Sequence, residues 1–386
     1  MRKTVTALAH YVEEALEERN RVCEEFFARE ADALALVSRD MSERFSRGGR
    51  LLAFGKGPYA TDAQHVSVEF VHPVIVGKRA LPALDLSLLF EPWLKALVEA
   101  DDMVMGFGPP EGDEEVEAAL EMAAKRGAMT LALPATPNAF IHQELIEILY
   151  HTLWETVHVF FEHRELGHDA GEAGFLYPFL GQEKQETETV VRQVAESIRM
   201  KVREDARLRA QVAEEQAEAI AATALAIGER VRRGGKLILF GNGGSATDAN
   251  DWAIDCVAPP AGFRAIPAVS LAFEPANITA LANDVGTEVI FLRQLIAQAR
   301  AGDVAIGIST SGGSKNVIVA LEEARKRGLL TVALLGYDGG EILRRGLADH
   351  ALIVRSDYIP RIQEVQASMY HTVRDLLERT AVNGAN

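Results

Sequence analysis

Cysteine is almost missing from this chain: Cys23 and Cys256 are the two among 386 residues. That is too few for a disulfide framework, and neither has thiolate-activating neighbours in sequence, so both are expected as buried thiols in a reducing compartment. No apolar run approaches the length needed to cross a bilayer. The opening MRKTVTALAHYVEEALEERN meets His10, Glu13 and Glu14 where a signal peptide needs an unbroken apolar stretch. A cytoplasmic protein is expected. Positive charge is also in deficit, with 40 Lys and Arg against 56 Asp and Glu, a net charge of -16. Such a field repels phosphate, which excludes nucleic acid or an anionic membrane as a partner held by bulk electrostatics. Any phosphate site has to be local. What the chain has is 48% hydrophobic residues, enough for one large core and, at this length, more naturally two domains.

The sequence matches itself. GGRLLAFGKGPYATDA, from Gly48, matches GGKLILFGNGGSATDA, from Gly234, so that Asp62 falls on Asp248. AALEMAAKRGAMTLAL matches VALEEARKRGLLTVAL, with Lys125 on Lys326, and HQELIEILYHT matches IQEVQASMYHT, with Gln143 on Gln363 and His151 on His371. The lengthening offset places two deletions in the first copy, one of 15 residues around Phe273 to Phe291 and one of 19 around Gly336 to Arg355. A trimmed and a complete copy of one unit are implied.

Each copy opens with a long periodic stretch, about Val5 to Arg47 and Thr187 to Arg233, that stops at a Gly-Gly pair. Strands are predicted at Leu51–Phe54, Met103–Met105, Leu131–Leu133, Leu237–Phe240, Val304–Ile308 and Val332–Leu335, alternating with helices such as Glu114–Arg126 and Lys315–Arg327. This βαβ alternation implies parallel sheets covered by helices on both faces. The aperiodic stretch from Gly167 to Gln185 is the best linker, and its Phe175, Tyr177 and Phe179 suit packing on a domain. The expected division is a first domain over 1–170, a linker over 171–185 and a second domain over 186–386.

Chemistry concentrates in the second copy. The strand Leu237–Phe240 runs into Gly241-Asn242-Gly243-Gly244-Ser245 and then a helix from Ala246 to Val257. Such a turn lets backbone N–H groups and a helix dipole meet an anion, and Ser245 adds a hydroxyl. After Val304–Ile308 comes Ser309-Thr310-Ser311-Gly312-Gly313-Ser314, with four hydroxyls where a helix cap needs one. Both loops end parallel strands, where open α/β sheets bind ligands. Neither carries Gly-x-Gly-x-x-Gly or a Gly-Lys-Ser/Thr ending, so the ligand expected is a monophosphate and no nucleotide cofactor.

GNGGSATDA, ANDVG (Ala282 to Gly286), ISTSGGS and RIQE (Arg361 to Glu364), followed by His371, resemble the phosphoheptose isomerases of the sugar-isomerase (SIS) domain superfamily. The resemblance covers about Glu188 to Glu378. It implies an α/β chain of two tandem SIS-type three-layer αβα sandwiches with parallel sheets, each preceded by a long N-terminal helix. It implies a phosphorylated sugar, sedoheptulose 7-phosphate above all, held by Asn242, Gly243, Ser245, Ser309, Thr310, Ser311, Ser314 and Gln363, with Asp284 near the sugar hydroxyls. The reaction implied is aldose–ketose isomerisation through an enediol, which needs a base at carbon and an acid at the neighbouring oxygen. The family's glutamate falls on Asp255, one methylene shorter, and its histidine on His371. Where the family has a metal-binding His, Asp251 stands. Asp251 and Asp255 form either a cation-holding pair or an exposed acidic face. Pro360 stands before RIQE where the family often has an Asp.

In the first copy the pattern inverts. The loops have become Gly55-Lys56-Gly57-Pro58-Tyr59 and Gly108-Pro109-Pro110-Glu111-Gly112-Asp113, losing a donor to proline, losing every serine and gaining acids. Yet the family's metal and catalytic positions survive as His65 and Glu69 on one helix and Gln143 and His151 on another. Four and eight residues turn a helix through about 40° and about 80°, so each pair can face one site. His65, Glu69, Gln143 and His151 are therefore expected to bind zinc or another divalent cation, and Glu69 with His151 is a second base–acid candidate. The copies can share one site, or the first can be a scaffold. Two functions stay open: an isomerase, or a phosphosugar-binding regulator or assembly protein without turnover. Long helices at the start of each copy suit a homo-oligomer, a dimer or tetramer.

Overall fold

The computed structural model describes residues 2–73, 78–131, 133–165 and 186–382. The expected linker, 171–185, lies outside them. Helix α1 (Arg2–Ser46) forms because apolar residues return every three or four positions, and Val12, Leu16, Cys23, Phe27, Ala31 and Ala35 are all buried. It stops at Gly48, whose φ of 94° lets the Gly49 N–H turn back to the Arg44 carbonyl at 2.9 Å. The first copy continues through β1 (Leu51–Gly55), α2 (Ala60–Val71), β2 (Ala83–Asp85), α3 (Phe90–Leu97), β3 (Met103–Phe107), α4 (Glu114–Lys125), β4 (Met129–Thr130) and α5 (Ala139–Glu165). The second runs through α6 (Thr187–Arg232), β5 (Leu237–Phe240), α7 (Gly244–Val257), β6 (Ala268–Ser270), α8 (Pro275–Asp284), α9 (Ile290–Gln298), β7 (Val304–Ser309), α10 (Lys315–Lys326), β8 (Leu330–Gly336), α11 (Gly340–Arg344), β9 (His350–Val354) and α12 (Ile359–Val382).

Both sheets are wholly parallel, in the orders β2-β1-β3-β4 and β6-β5-β7-β8-β9. Their central strands β1, β3, β5 and β7 are buried throughout, as parallel strands covered on both faces must be. The two deletions have structural counterparts. Between β6 and β7 the second copy has α8 and α9, whereas the first has α3 alone between β2 and β3. The shorter first sheet has no equivalent of α11 and β9 among the described residues. The strand predicted at Leu131–Leu133 is instead β4 at Met129–Thr130; the Leu131 N–H still reaches the Val104 carbonyl at 3.1 Å, and Ala132 lies outside the described residues.

Two compact units emerge, and each draws on both copies. The C-terminal unit comprises Met1–Asn20, Ala139–Glu144 and Asp205–Asn386; the N-terminal unit comprises Arg21–Asn138 and Leu145–Glu204. Chain order therefore does not follow compactness, because α1, α5 and α6 are long enough to pass from one unit into the other. In the C-terminal unit Ala9, Val12 and Leu16 of α1 join α6, α7 and α12 on one face of the sheet, and α9 and α10 cover the other. In the N-terminal unit α1, α2, α5 and the start of α6 cover one face, and α3 and α4 the other. No helix among the described residues is long and apolar enough to cross a membrane.

Candidate active site

In the C-terminal unit the chain lays down β5, adds β6 on one side and then crosses to place β7 on the other. The strand order reverses between β5 and β7, which is where open α/β sheets form a ligand crevice. The two glycine- and serine-rich loops leave these two strands and meet: the Asn242 and Asn316 side-chain amides exchange two hydrogen bonds of 2.9 Å. Within the second loop Ser309 and Ser314 hydroxyls lie 3.0 Å apart, and the Ser309 Oγ accepts from the Gly312 N–H. Gly312 has a φ of 60°, and a Cβ there would stand 2.2 Å from the Gly339 carbonyl oxygen, so this close crossing admits glycine alone. The N-cap residues of α7 and α10 are Gly243 and Ser314, and neither start is capped by that residue's side chain. At α10 the Val317 N–H goes to Asn316 Oδ1 at 2.9 Å, and the N–H groups before it, with the first ones of α7, are those available to an anion. Ser245 is buried at the head of α7, Thr310 is half-buried, and Ser311 is exposed. Asp284 ends α8, exposed, accepting from the Asn283 amide.

Further along α7, about 9 and about 15 Å along its axis from Ser245, the i, i+4 spacing brings Asp251 and Asp255 to one face. Both are buried and both meet His371 of α12, whose Nε2 lies 3.2 Å from Asp255 Oδ2 and 3.4 Å from Asp251 Oδ2. The exposed acidic face considered from sequence is thus not what forms. Asp251 also accepts from the Gln143 amide at 2.9 Å and from the Tyr370 hydroxyl at 2.8 Å. On its other edge His371 Nδ1 meets Glu144 Oε1 at 2.9 Å, and Phe140 stacks on the ring with centroids 4.8 Å apart. Burial and the neighbouring Asp251 charge raise the Asp255 carboxyl to about 6. Burial alone would lower His371, but the Asp251, Asp255 and Glu144 carboxylates around the ring raise it well above the ordinary histidine value. Burial likewise opposes ionisation of Glu144, yet Arg19 and His371 outweigh it and bring that carboxyl down to about 2. Gln363 is buried on α12, eight residues before His371.

The N-terminal unit has the same strand reversal between β1 and β3, but its loops are closed. Lys56 pairs with Asp113 at 2.9 Å and with Glu115 at 3.0 Å. Asp113 caps α4, accepting from the Glu115 and Val116 N–H groups. A carboxylate already occupies the helix start at which a phosphate would sit. Below it His65, Glu69 and His151 gather, all buried, with ligand atoms within 4.8 Å of one another and the two imidazoles 5.2 Å apart, edge to face. Glu69 Oε2 is buried and accepts no hydrogen bond among the described residues. Two imidazoles and a carboxylate suit zinc or a similar divalent ion, so these residues fit the metal implied by the resemblance. Gln143, expected beside them, belongs to the C-terminal unit, where its amide nitrogen goes to Asp251.

Sequence reasoning did not single out Arg19, Glu144 or Tyr370. Glu144 was within reach: it falls on Glu364 in the match that pairs Gln143 with Gln363. Arg19 carries no such signal, because its partner stands 125 residues away on another helix.

A SIS domain family model matches residues 202–336. The phosphoheptose isomerase of Pelobacter propionicus is 49% identical over 152 residues, which are 39% of this chain and 79% of that protein. That of Helicobacter pylori strain P12 is 44% identical over 152 residues, 39% of this chain and 78% of its own. Among solved structures, tagatose-6-phosphate ketose/aldose isomerase from Escherichia coli superimposes at a TM-score of 0.52 with 15% identity, over 96% of this chain and 94% of that one. The C-terminal domain of glucosamine-fructose-6-phosphate aminotransferase from Francisella tularensis gives 0.52 with 8% identity, over 95% of each chain. These two likenesses show the fold over nearly the whole chain. With close to half of the residues identical across more than three quarters of a curated relative, this chain belongs to the SIS-domain family of the phosphoheptose isomerases.

Proposed function

We propose that the protein is a phosphosugar isomerase that interconverts sedoheptulose 7-phosphate and an aldoheptose 7-phosphate. The observation that carries this reading is the pair of uncapped helix starts at the strand reversal of the C-terminal unit, joined by Asn242 and Asn316. The phosphate is held there by Asn242, Gly243, Ser245, Ser309, Thr310, Ser311 and Ser314, with Asp284 and Gln363 toward the sugar. Asp255 is the base: its carboxylate takes the proton from the carbon beside the carbonyl. His371, kept protonated by three carboxylates, gives a proton to the carbonyl oxygen, and the enediol collapses when the two transfers reverse on the neighbouring atoms. Glu69 and His151 are the weaker pair for this role, since Lys56 and Asp113 close the loops of their unit.

In the N-terminal unit His65, Glu69 and His151 would hold zinc or another divalent cation, which as a bound charge would fix the α2 and α5 side chains in one arrangement. The partners of the protein are a phosphorylated sugar and further copies of the chain, a dimer or tetramer, with neither nucleic acid nor membrane, in the cytoplasm.

A binding-only reading draws on the burial of the acid–base pair, where Asp255 and His371 are each 1% exposed. Incubating the purified chain with sedoheptulose 7-phosphate and following aldose formation decides between the two. Turnover that falls at least about 100-fold in Asp255→Asn, with phosphosugar binding retained, supports the isomerase. Binding without turnover in the wild type rejects it.

A further inference from the structure

We propose that Glu144, held by Arg19, is the positioning residue for His371, so that the first copy supplies the carboxylate that orients the acid of the second copy's site. The inference rests on the reading of His371 as that acid. The His371 ring is restrained on every side that the structure shows. Nδ1 meets Glu144 from α5, Nε2 meets Asp251 and Asp255 from α7, and Phe140 of α5 lies on its face, tilted by 17°. Glu144 is itself fixed. Arg19 Nε donates to its two oxygens at 2.9 and 3.0 Å, and the Ser368 hydroxyl donates to Oε2 at 2.7 Å. Arg19 in turn donates through Nη1 to the Ala15 carbonyl at 2.9 Å, which anchors the pair to α1. The Arg19 and Glu144 side chains are 2% and 0% exposed.

A carboxylate that served only to neutralise Arg19 would have no reason to place Oε1 against an imidazole nitrogen. Here that contact commits Nδ1 to carrying a proton, whichever charge the ring has, and leaves Nε2 as the nitrogen that faces Asp255 and exchanges a proton with substrate. Without Glu144 the ring is free to hold the proton on the wrong nitrogen or to rotate about its Cβ–Cγ bond. An error of about 1 Å at an acid–base centre costs about 100-fold in rate.

The test uses the full chain labelled with nitrogen-15 histidine, as wild type, as Glu144→Gln and as the double variant Arg19→Met, Glu144→Gln, which removes both buried charges together and so keeps a folded comparison available. The wild type is expected to show a strongly downfield Nδ1 proton for His371, assigned by its loss in His371→Asn. Both Glu144 variants are expected to lose that resonance, to drop kcat about 100-fold and to keep KM and phosphosugar binding within about twofold. A role confined to packing would leave the Nδ1 proton in place. Absence of the downfield proton in the wild type, or its persistence with unchanged kcat in a folded variant, overturns the proposal. A wild type that shows the proton but turns nothing over sinks the isomerase reading, and the resonance still reports on Glu144.

Discussion

Asp255 carries one methylene fewer than the glutamate the family resemblance places there, and its environment compensates in part by chemistry. Burial and the Asp251 charge bring its carboxyl up to about 6, close to working pH, where a general base is most effective. As the proposed base it must be ionised to act, so kcat/KM is expected to fall on the acid side with an apparent midpoint near 6, belonging to the Asp255–His371 pair as a whole. An acid limb near the ordinary carboxylate range, measured from pH 4 to 9 with sedoheptulose 7-phosphate, would remove Asp255 as the base. The sign for stability is the reverse of the Glu144 case. Asp255, raised in the folded state, contributes most below its unfolded value of 3.8 and loses that contribution as pH rises through about 6. Glu144, lowered to about 2, contributes fully above its unfolded value of 4.5 and loses that contribution as pH falls toward 2. Its partner gives a sharper prediction. Arg19→Met removes the cation that holds both oxygens of a buried carboxylate and is expected to cost about 3–5 kcal/mol in chemical denaturation, whereas adding Glu144→Gln recovers most of that loss. If the two single costs simply add, the pair is not coupled as the geometry requires.

At the scale of elements, α4 and α10 are the same helix with opposite fates. Both follow the strand at the reversal point, yet α4 begins with Asp113, whose carboxylate takes two of its first N–H groups, and α10 begins with Ser314, whose side chain takes none, the Val317 N–H going to Asn316 instead. That difference was legible in sequence, as were the strands and helices, because period and turn chemistry are local. The Lys56–Asp113 pair that completes the closure was not, since its members stand 57 residues apart on different loops. The comparison can be run as an experiment. Ser314→Asp should fold, because α4 tolerates the same cap, and should weaken phosphosugar binding about 100-fold by setting like charges together. Calorimetry should find one phosphosugar per chain in the wild type. Two equivalent sites, or undiminished affinity in Ser314→Asp, would show that the phosphate sits elsewhere.

For the whole molecule, the internal repeat told how many copies there are but not which residues each compact unit would contain. Periodicity reads α1 and α6 as single helices, and nothing in it marks the points, after Asn20 and after Glu204, at which each passes into the other unit. Hence the sequence left open whether the copies share a site, and of the first-copy residues that gather around His371 and Asp251, Arg19 and Glu144 were overlooked and Gln143 was assigned to a metal. What remains on the N-terminal side is His65, Glu69 and His151, a set whose buried carboxylate oxygen Glu69 Oε2 makes no hydrogen bond among the described residues. Such an oxygen costs about 1–3 kcal/mol to bury unsatisfied, a cost that a bound cation would remove. The purified protein is expected to carry about one divalent ion per chain, and His65→Ala to lose it. Chelation should lower the melting temperature of the wild type and leave that of His65→Ala unmoved, since a ligand stabilises only the state that binds it. Phosphosugar affinity in the C-terminal unit should survive both treatments. Metal that persists in His65→Ala, or a wild type whose melting ignores the chelator, would leave these three residues as an inherited core and not a metal centre.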